Sequence, residues 1–229
     1  MTVKAQQSEL SSEIGRILRK YFGKGPEAVL VSIAPPYVTI YLRNFLSPIE
    51  QVLLEDRHTM TVEEIRDKMM EKLASKMLAV TASVTGFNVM EFYYDWSFEN
   101  GSGILVGVEE SQYEKSHYPY KHSTDVEELI DIISEEAEKS PESIYSHLLN
   151  ERTLLIVREG ILVKIEKQLI ESGFVEALTV AKRTLEKKLL FQHKSTFAKY
   201  LNTEIKDIFV SWDFEIDKSI IVFILAPKK

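Results

Sequence analysis

The sequence predicts two tandem α+β domains, each reading α-β-β-α-α-β-β, with a four-stranded, mostly antiparallel sheet and helices on one face. Three observations carry this. Trp96-Ser97-Phe98-Glu99 returns as Trp212-Asp213-Phe214-Glu215, 116 residues later, and the chain has no other Trp. The order of helical and strand-like segments is the same before and after the midpoint. Between the halves lies EESQYEKSHYPYKHST, residues Glu109 to Thr124, polar and without apolar period, which suits a linker. The boundaries are a first domain over 1–112, a linker over 113–124 and a second, divergent copy over 125–229.

The elements of the first copy follow in order. Leu10, Ile14, Ile17, Leu18 and Tyr21 recur at helical spacing, so a helix runs from Ser8 to Phe22, with Gly23 and Gly25 to stop it. Ala28 to Ile33 and Tyr37 to Phe45 are strand-like. Pro35-Pro36 between them cannot donate to a ladder and marks the turn. Ser47-Pro48-Ile49-Glu50 opens a helix with a cap, a first-position Pro and a Glu three residues after the Ser. Thr61-Val62-Glu63-Glu64 reads as a second capping box, opening a long helix with Val62, Ile65, Met69, Leu73, Met77, Val80 and Val84 on its apolar stripe. Asn100-Gly101 is a hairpin turn between two strands. Alternation puts Met90, Phe92, Tyr94, Trp96 and Phe98 on the core face. In the second copy Ile208, Val210, Trp212 and Phe214 keep that pattern, and Ile216-Asp217-Lys218-Ser219 replaces the turn.

The copies match at Lys24-Gly25-Pro26-Glu27 against Lys139-Ser140-Pro141-Glu142, offset by 115. Later pairs are offset by 116: Ile40/Ile156, Ile49/Ile165, Glu50/Glu166, Leu73/Leu189, Trp96/Trp212, Ile104/Ile220 and Val106/Val222. One extra residue near Arg152, in a predicted turn, accounts for the change. The period is too long for a solenoid repeat and marks homologous domains.

Composition bounds the function. The 229 residues are 45% hydrophobic and 28% charged, with no Cys, so thiolate catalysis, disulfides and cysteine metal sites are excluded. The polar start of the chain has no signal-type apolar region, and no window approaches a membrane span. A cytoplasmic protein is the expectation. The net charge of −7 argues against nucleic-acid backbone binding.

Motif candidates mostly reduce to structure. Gly101-Ser102-Gly103 precedes a strand rather than a helix, so it is a hairpin and not a phosphate loop. Gly23-Lys24-Gly25 lacks Walker spacing. His58, His117, His122, His147 and His193 have no metal spacing and read as solvated residues. Glu127-Glu128, Asp131 and Glu135-Glu136 read as the wet face of a helix. The Met residues suit a core, or an adaptable partner groove. The Trp residues read as core anchors. No cofactor, metal or catalytic constellation is expected, and the chain is read as a non-enzyme.

One surface stands apart. The sheet face opposite the first domain's core carries Tyr37, Thr39, Tyr41 and Arg43 from one strand and Glu91, Tyr93 and Asp95 from another. Such aromatic and mixed-charge surfaces serve interfaces and small-ligand sites. Tyr37, Tyr41, Arg43, Tyr93 and Asp95 are therefore the ligand- or partner-binding candidates. An ordinary solvated sheet face is the alternative. The second copy has Thr153, Leu155, Val157 and Glu159, with Asp207, Phe209, Ser211 and Asp213, at the matching places. Its apolar members imply a covered face, so the domains are expected to pair as a pseudo-dimer, or the chain to dimerise, through these faces.

Lys24-Gly25-Pro26-Glu27, Val31-Ser32-Ile33-Ala34-Pro35-Pro36-Tyr37-Val38-Thr39-Ile40 and Leu42-Arg43-Asn44-Phe45-Leu46-Ser47-Pro48 resemble the bacterial MpsC-like family. So do Glu91-Phe92-Tyr93-Tyr94-Asp95-Trp96 and Asn100-Gly101-Ser102-Gly103. The resemblance covers about residues 8–110; the second copy shares it in outline, having lost the Pro-Pro-Tyr and Arg-Asn-Phe segments. The family is similar to a soluble component named for a cation-translocating, membrane-potential-generating system linked to bicarbonate uptake. The resemblance implies a bacterial cytoplasmic protein without established catalytic residues. The expected function is a non-catalytic binding or accessory protein, with a protein partner or self-association, peripheral to a membrane ion or bicarbonate system. The alternative is a small-anion sensor holding its ligand between the domains at Tyr37, Tyr41, Arg43 and Tyr93, where Arg43 suits a carboxylate, bicarbonate or phosphate.

Overall fold

The computed structural model describes residues 1–109 and 120–227, which fall into two compact units, Met1–Ser116 and His117–Lys229. Most of the expected linker, with His117, lies outside the described residues. Ser123 and Thr124, expected at its end, already belong to a helix.

The first unit runs α1 (Val3–Phe22), β1 (Ala28–Ala34), β2 (Tyr37–Arg43), α2 (Pro48–Glu55), α3 (Thr59–Thr85), β3 (Val89–Ser97) and β4 (Ser102–Glu109). The second runs α4 (Ser123–Ala137), β5 (Ser143–Asn150), β6 (Thr153–Glu159), α5 (Lys164–Glu171), α6 (Val175–Gln192), α7 (Lys194–Leu201), β7 (Ile205–Asp213) and β8 (Lys218–Leu225). The sheets share one topology, β1-β2-β4-β3 and β5-β6-β8-β7, and every neighbouring pair is antiparallel. In each, a helical crossover carries the chain to an edge strand, and a hairpin returns it to the centre. The α+β class and the two similar halves are as the sequence predicts.

Local chemistry explains most of the elements and corrects several. Helix α1 starts at Val3, five residues before the expected Ser8, because Thr2 supplies the cap by accepting from the Ala5 N–H. It ends at Gly23, whose φ of 73° favours glycine. Helix α2 has the expected reciprocal box: Ser47 accepts from Glu50 N–H, and the Glu50 carboxylate accepts from Ser47 N–H at 2.7 Å. The box expected at Thr61 does not form; α3 has already begun at Thr59.

The buried stripe of α3 is Val62, Arg66, Met70, Leu73, Met77 and Thr81. Ile65, expected inside, is 47% exposed, and Met69 is only half-buried. Hydropathy spacing assigns every Arg to water, so it steps around Arg66 and takes Ile65, Met69 and Val80 in place of Arg66, Met70 and Thr81, while Val62, Leu73 and Met77 are buried as expected. Met90, also expected inside, is 61% exposed, because the ladder slips between Val89 and Glu91. Lys218 and Ser219 belong to β8, not to the turn.

The copies differ in two backbone details. The single helix α3 corresponds to α6 and α7, broken at His193. The extra residue of the second copy sits in β5 as a bulge between Leu148 and Asn150, just before the turn at Arg152. The core of each unit lies between its helices and one sheet face: Leu10, Ile14, Leu18, Val38, Ile40, Leu42, Leu73 and Leu105 in the first, Val126, Ile130, Ile133, Leu154, Ile156, Leu189 and Phe223 in the second. The helix residues Leu10, Ile14, Ile17 and Leu18 match Val126, Ile130, Ile133 and Ser134, an offset of 116.

Candidate functional site

Strand register puts four of the candidate side chains in rows across one face of the first sheet, and Arg43, paired with Ala28, continues the alternation of β2 at its end. Tyr41 aligns with Ile104 and Asp95, Thr39 with Val106 and Tyr93, and Tyr37 with Val108 and Glu91. The middle of each row is an apolar residue of β4. Tyr37, Thr39, Tyr93 and Asp95 are buried, Tyr41 is half-buried and Arg43 is exposed. The Tyr93 hydroxyl donates to Glu91 at 2.6 Å, and Asp95 accepts from the Trp96 N–H at 2.8 Å. Arg43 stands 3.9 Å from the exposed Glu27. On the matching face of the second sheet Leu155, Val157 and Phe209 are buried.

The densest polar chemistry lies on the opposite, helix-covered face. In the first unit Arg66 of α3 reaches under Trp96 and makes two bonds to Glu50, Nε at 2.8 Å and Nη2 at 3.0 Å, and a further one to the Phe45 carbonyl. Its guanidinium carbon stands 4.5 Å from the Trp96 ring, 4.8 Å from Phe45, 5.5 Å from Phe22 and 5.8 Å from Phe98. A planar cation can satisfy a carboxylate edge-on while its faces meet aromatic rings. Trp96 can lie there because residue 103 is glycine: a Cβ would fall 2.4 Å from the indole. Burial raises the Glu50 carboxyl, but Arg66 and Ser47 outweigh it and hold the group below the ordinary carboxylate value.

The second unit keeps the skeleton and changes its surroundings. Lys182 takes the place of Arg66, Glu166 that of Glu50 and Trp212 that of Trp96, each 116 residues on. Lys182 Nζ is 2.9 Å from Glu166, touches Glu138, and lies 3.6 Å from Glu186 and 5.7 Å from the Trp212 ring centre. Arg158 bonds Glu186, the Ser134 hydroxyl at 3.0 Å and the Ser219 hydroxyl at 2.8 Å. Trp212 Nε1 donates to Glu186 at 3.1 Å. Charged or polar groups have replaced first-unit apolar ones: Glu138 for Phe22, Ser134 for Leu18, Arg158 for Leu42, Glu186 for Met70 and Ser219 for Gly103. The sequence already showed Glu50/Glu166 and Trp96/Trp212. Carrying the same offset to charged positions on the long helix would have added Arg66/Lys182.

Other expectations need correction. His147 is buried in β5, its ring centre 5.5 Å from that of Tyr145 in an edge-to-face arrangement, rather than solvated. Glu127 is not simply wet: it accepts from the Ser146 N–H at 2.8 Å and from the Ser146 hydroxyl at 2.6 Å. His122 bonds Asp125 at 2.8 Å and stacks on Tyr200 at the wall of a cavity of about 420 Å³, which Tyr120, Lys121 and Lys199 also line.

A doubled α-β-β-α-α-β-β unit built around a buried Glu–cation–Trp centre defines the class: a tandem α+β protein whose copies have diverged in their cores. The chain belongs to the MpsC family, described as "Na+-translocating membrane potential-generating system (MpsC)", which matches residues 2–111 and again 126–227. No curated protein and no solved structure matches it. Among the described residues no helix is long and apolar enough to cross a membrane.

Proposed function

We propose that the protein is a non-catalytic accessory component of a bacterial membrane ion-translocating system, working at the cytoplasmic side by binding a protein partner of that system. Family membership supports the link to a membrane-potential-generating Na⁺ system. The observation that carries the binding role is a helical elbow exposed in both copies. At α2–α3 it presents Ile49 (75% exposed), Val52 and Met60; at α5–α6 it presents Ile165 (66% exposed), Phe174 and Val175. Exposed apolar clusters on a charged protein mark interaction surfaces. One member, Ile49 with Ile165, recurs at the matching position and is exposed in both copies, while the other apolar residues of the elbow differ between them. The non-catalytic reading is supported by the two ionic centres, whose side chains are spent on one another rather than aimed at solvent.

Affinity capture from native membranes tests this. The wild-type chain should enrich a membrane-system protein, and Ile49→Asp with Ile165→Asp should lose it while keeping the melting temperature. Equal recovery by both overturns the elbow. A second arm with Tyr41→Ala and Arg43→Ala asks whether the end of β2 in the first sheet contributes, and light scattering of the same variants reports self-association. A small-anion sensor is the second reading, favoured by Lys121, His122 and Lys199 around the second unit's cavity. A melting shift with millimolar bicarbonate or phosphate, lost in Lys199→Ala, would support it; no shift would remove it.

A further inference from the structure

We propose that the second unit contains a proton-binding site, in which the carboxylates of Glu138, Glu166 and Glu186 enclose Lys182 and Arg158 and the odd negative charge is neutralised by one proton held on Glu138. The side chains of this cluster are buried: exposure is 4% for Lys182, 3% for Arg158, 2% for Glu186, 8% for Glu166 and 10% for Glu138. An uncompensated charge is costly at such depth, so a carboxylate in excess of its cations takes up a proton instead.

Counting donors identifies the carboxyl that holds it. Glu186 accepts from Arg158 and from Trp212 Nε1 at 3.1 Å, with Lys182 3.6 Å away. Glu166 accepts from the Val163 N–H at 3.0 Å and from Lys182 at 2.9 Å. Glu138 has Lys182 alone among the described residues, and shares it with both others. It also caps the C-terminal end of α4, where the helix dipole disfavours a negative charge. The charged groups facing it are Lys182 and Glu186 from α6 and Glu166 from α5, with Arg158 of β6 behind Glu186. Burial first, then repulsion from Glu186, partly offset by Lys182, raises this carboxyl to about 7. The proton comes from water and returns to it, so the site changes charge across neutral pH. The first unit is the built-in control. Its matching position is Phe22, its cation meets one carboxylate, and that carboxyl is pushed the other way.

The inference goes beyond the accessory role and does not depend on it. The full chain, labelled with ¹³C at glutamate carboxyls, would be titrated by NMR. One carboxyl should titrate near the value of about 7 that its surroundings impose, and its signal should vanish in Glu138→Gln. In Glu186→Gln, which removes the repelling neighbour, the midpoint should fall by about one unit. The proposal is overturned if every wild-type Glu titrates below about 5.5. It is equally overturned if the near-neutral signal persists in Glu138→Gln, or keeps its midpoint in Glu186→Gln. The wild-type spectrum decides the matter even if a variant does not fold.

Discussion

Trp96 and Trp212 occupy the same place in two copies of one fold, yet the ground beneath them differs. Beneath Trp96 is one arginine, one glutamate and a ring of aromatic side chains. Beneath Trp212 are two cations, three carboxylates and two hydroxyls. The comparison teaches that a repeat can hold its backbone constant while converting an apolar cage into an ionic network. The conversion is coordinated. Ser219 at the place of Gly103 gives Arg158 a partner, and Arg158 in turn answers Glu186. Had only one of these replacements been made, a buried group would have been left without a partner.

The largest effects should come from removing either central cation. Arg66→Ala leaves Glu50 buried and unpaired and empties the cage, for a loss of about 3–5 kcal/mol. Lys182→Ala takes the shared cation from Glu166 and Glu138 in a buried site, at similar cost. Denaturant unfolding with each Trp as a local probe separates the two units; a loss below about 1 kcal/mol for Arg66→Ala would show that the cage is not structural.

Next come effects of pH, opposite in sign between the copies. Glu50 is held below its ordinary value, so its contribution is present above that value and is lost as pH falls through the lowered one. Glu138 is raised to about 7. Its contribution is complete below the ordinary value near 4.5 and is lost as pH rises through about 7. The Glu138 swing should amount to roughly 2–3 kcal/mol. Hydrogen exchange should therefore show the second unit loosening between pH 5 and 8, about the range spanned by its two states, while the first loosens only in acid. Parallel behaviour of the two units would break the comparison.

Gly103→Ala should follow, at about 1–3 kcal/mol, because the new Cβ cannot coexist with the Trp96 ring as placed. The reverse change, Ser219→Gly, should cost about 1 kcal/mol through the lost bond to Arg158. The smallest difference is at the α2 and α5 caps. Ser47→Ala should cost about 1 kcal/mol, whereas Val163, which has no oxygen to offer, should gain a few tenths on change to Ser. Thermal melts would rank these, and a melting temperature unmoved by Gly103→Ala would deny the close packing.

Much of the fold was legible in the chain. Ser47-Pro48-Ile49-Glu50, the Pro35-Pro36 turn, Asn100-Gly101 and the doubled Trp pattern rest on local chemistry, and local chemistry can be read locally. The centres were legible only at their ends, as Glu50/Glu166 and Trp96/Trp212. Their middles were hidden because Arg66 and Lys182 are charged, and periodicity sends charge to solvent. Only the packing of α3 on β3, and of α6 on β7, makes those positions interior. Met90 was misplaced because a ladder slip leaves no mark in an alternating run. The Tyr37–Tyr93 face was read correctly as a shared face, but its exposure depends on packing that no strand pattern encodes.

The chain's two Trp residues make the central contrast directly measurable, since each sits over one centre. Single-Trp variants, Trp96→Phe and Trp212→Phe, would be followed by intrinsic fluorescence from pH 5 to about 9. Trp212, bonded to Glu186 beside Lys182, should change emission with a midpoint near the value of about 7 assigned to Glu138. Trp96 should stay constant over that range. A flat Trp212 profile, or the same transition in both variants, would contradict the account.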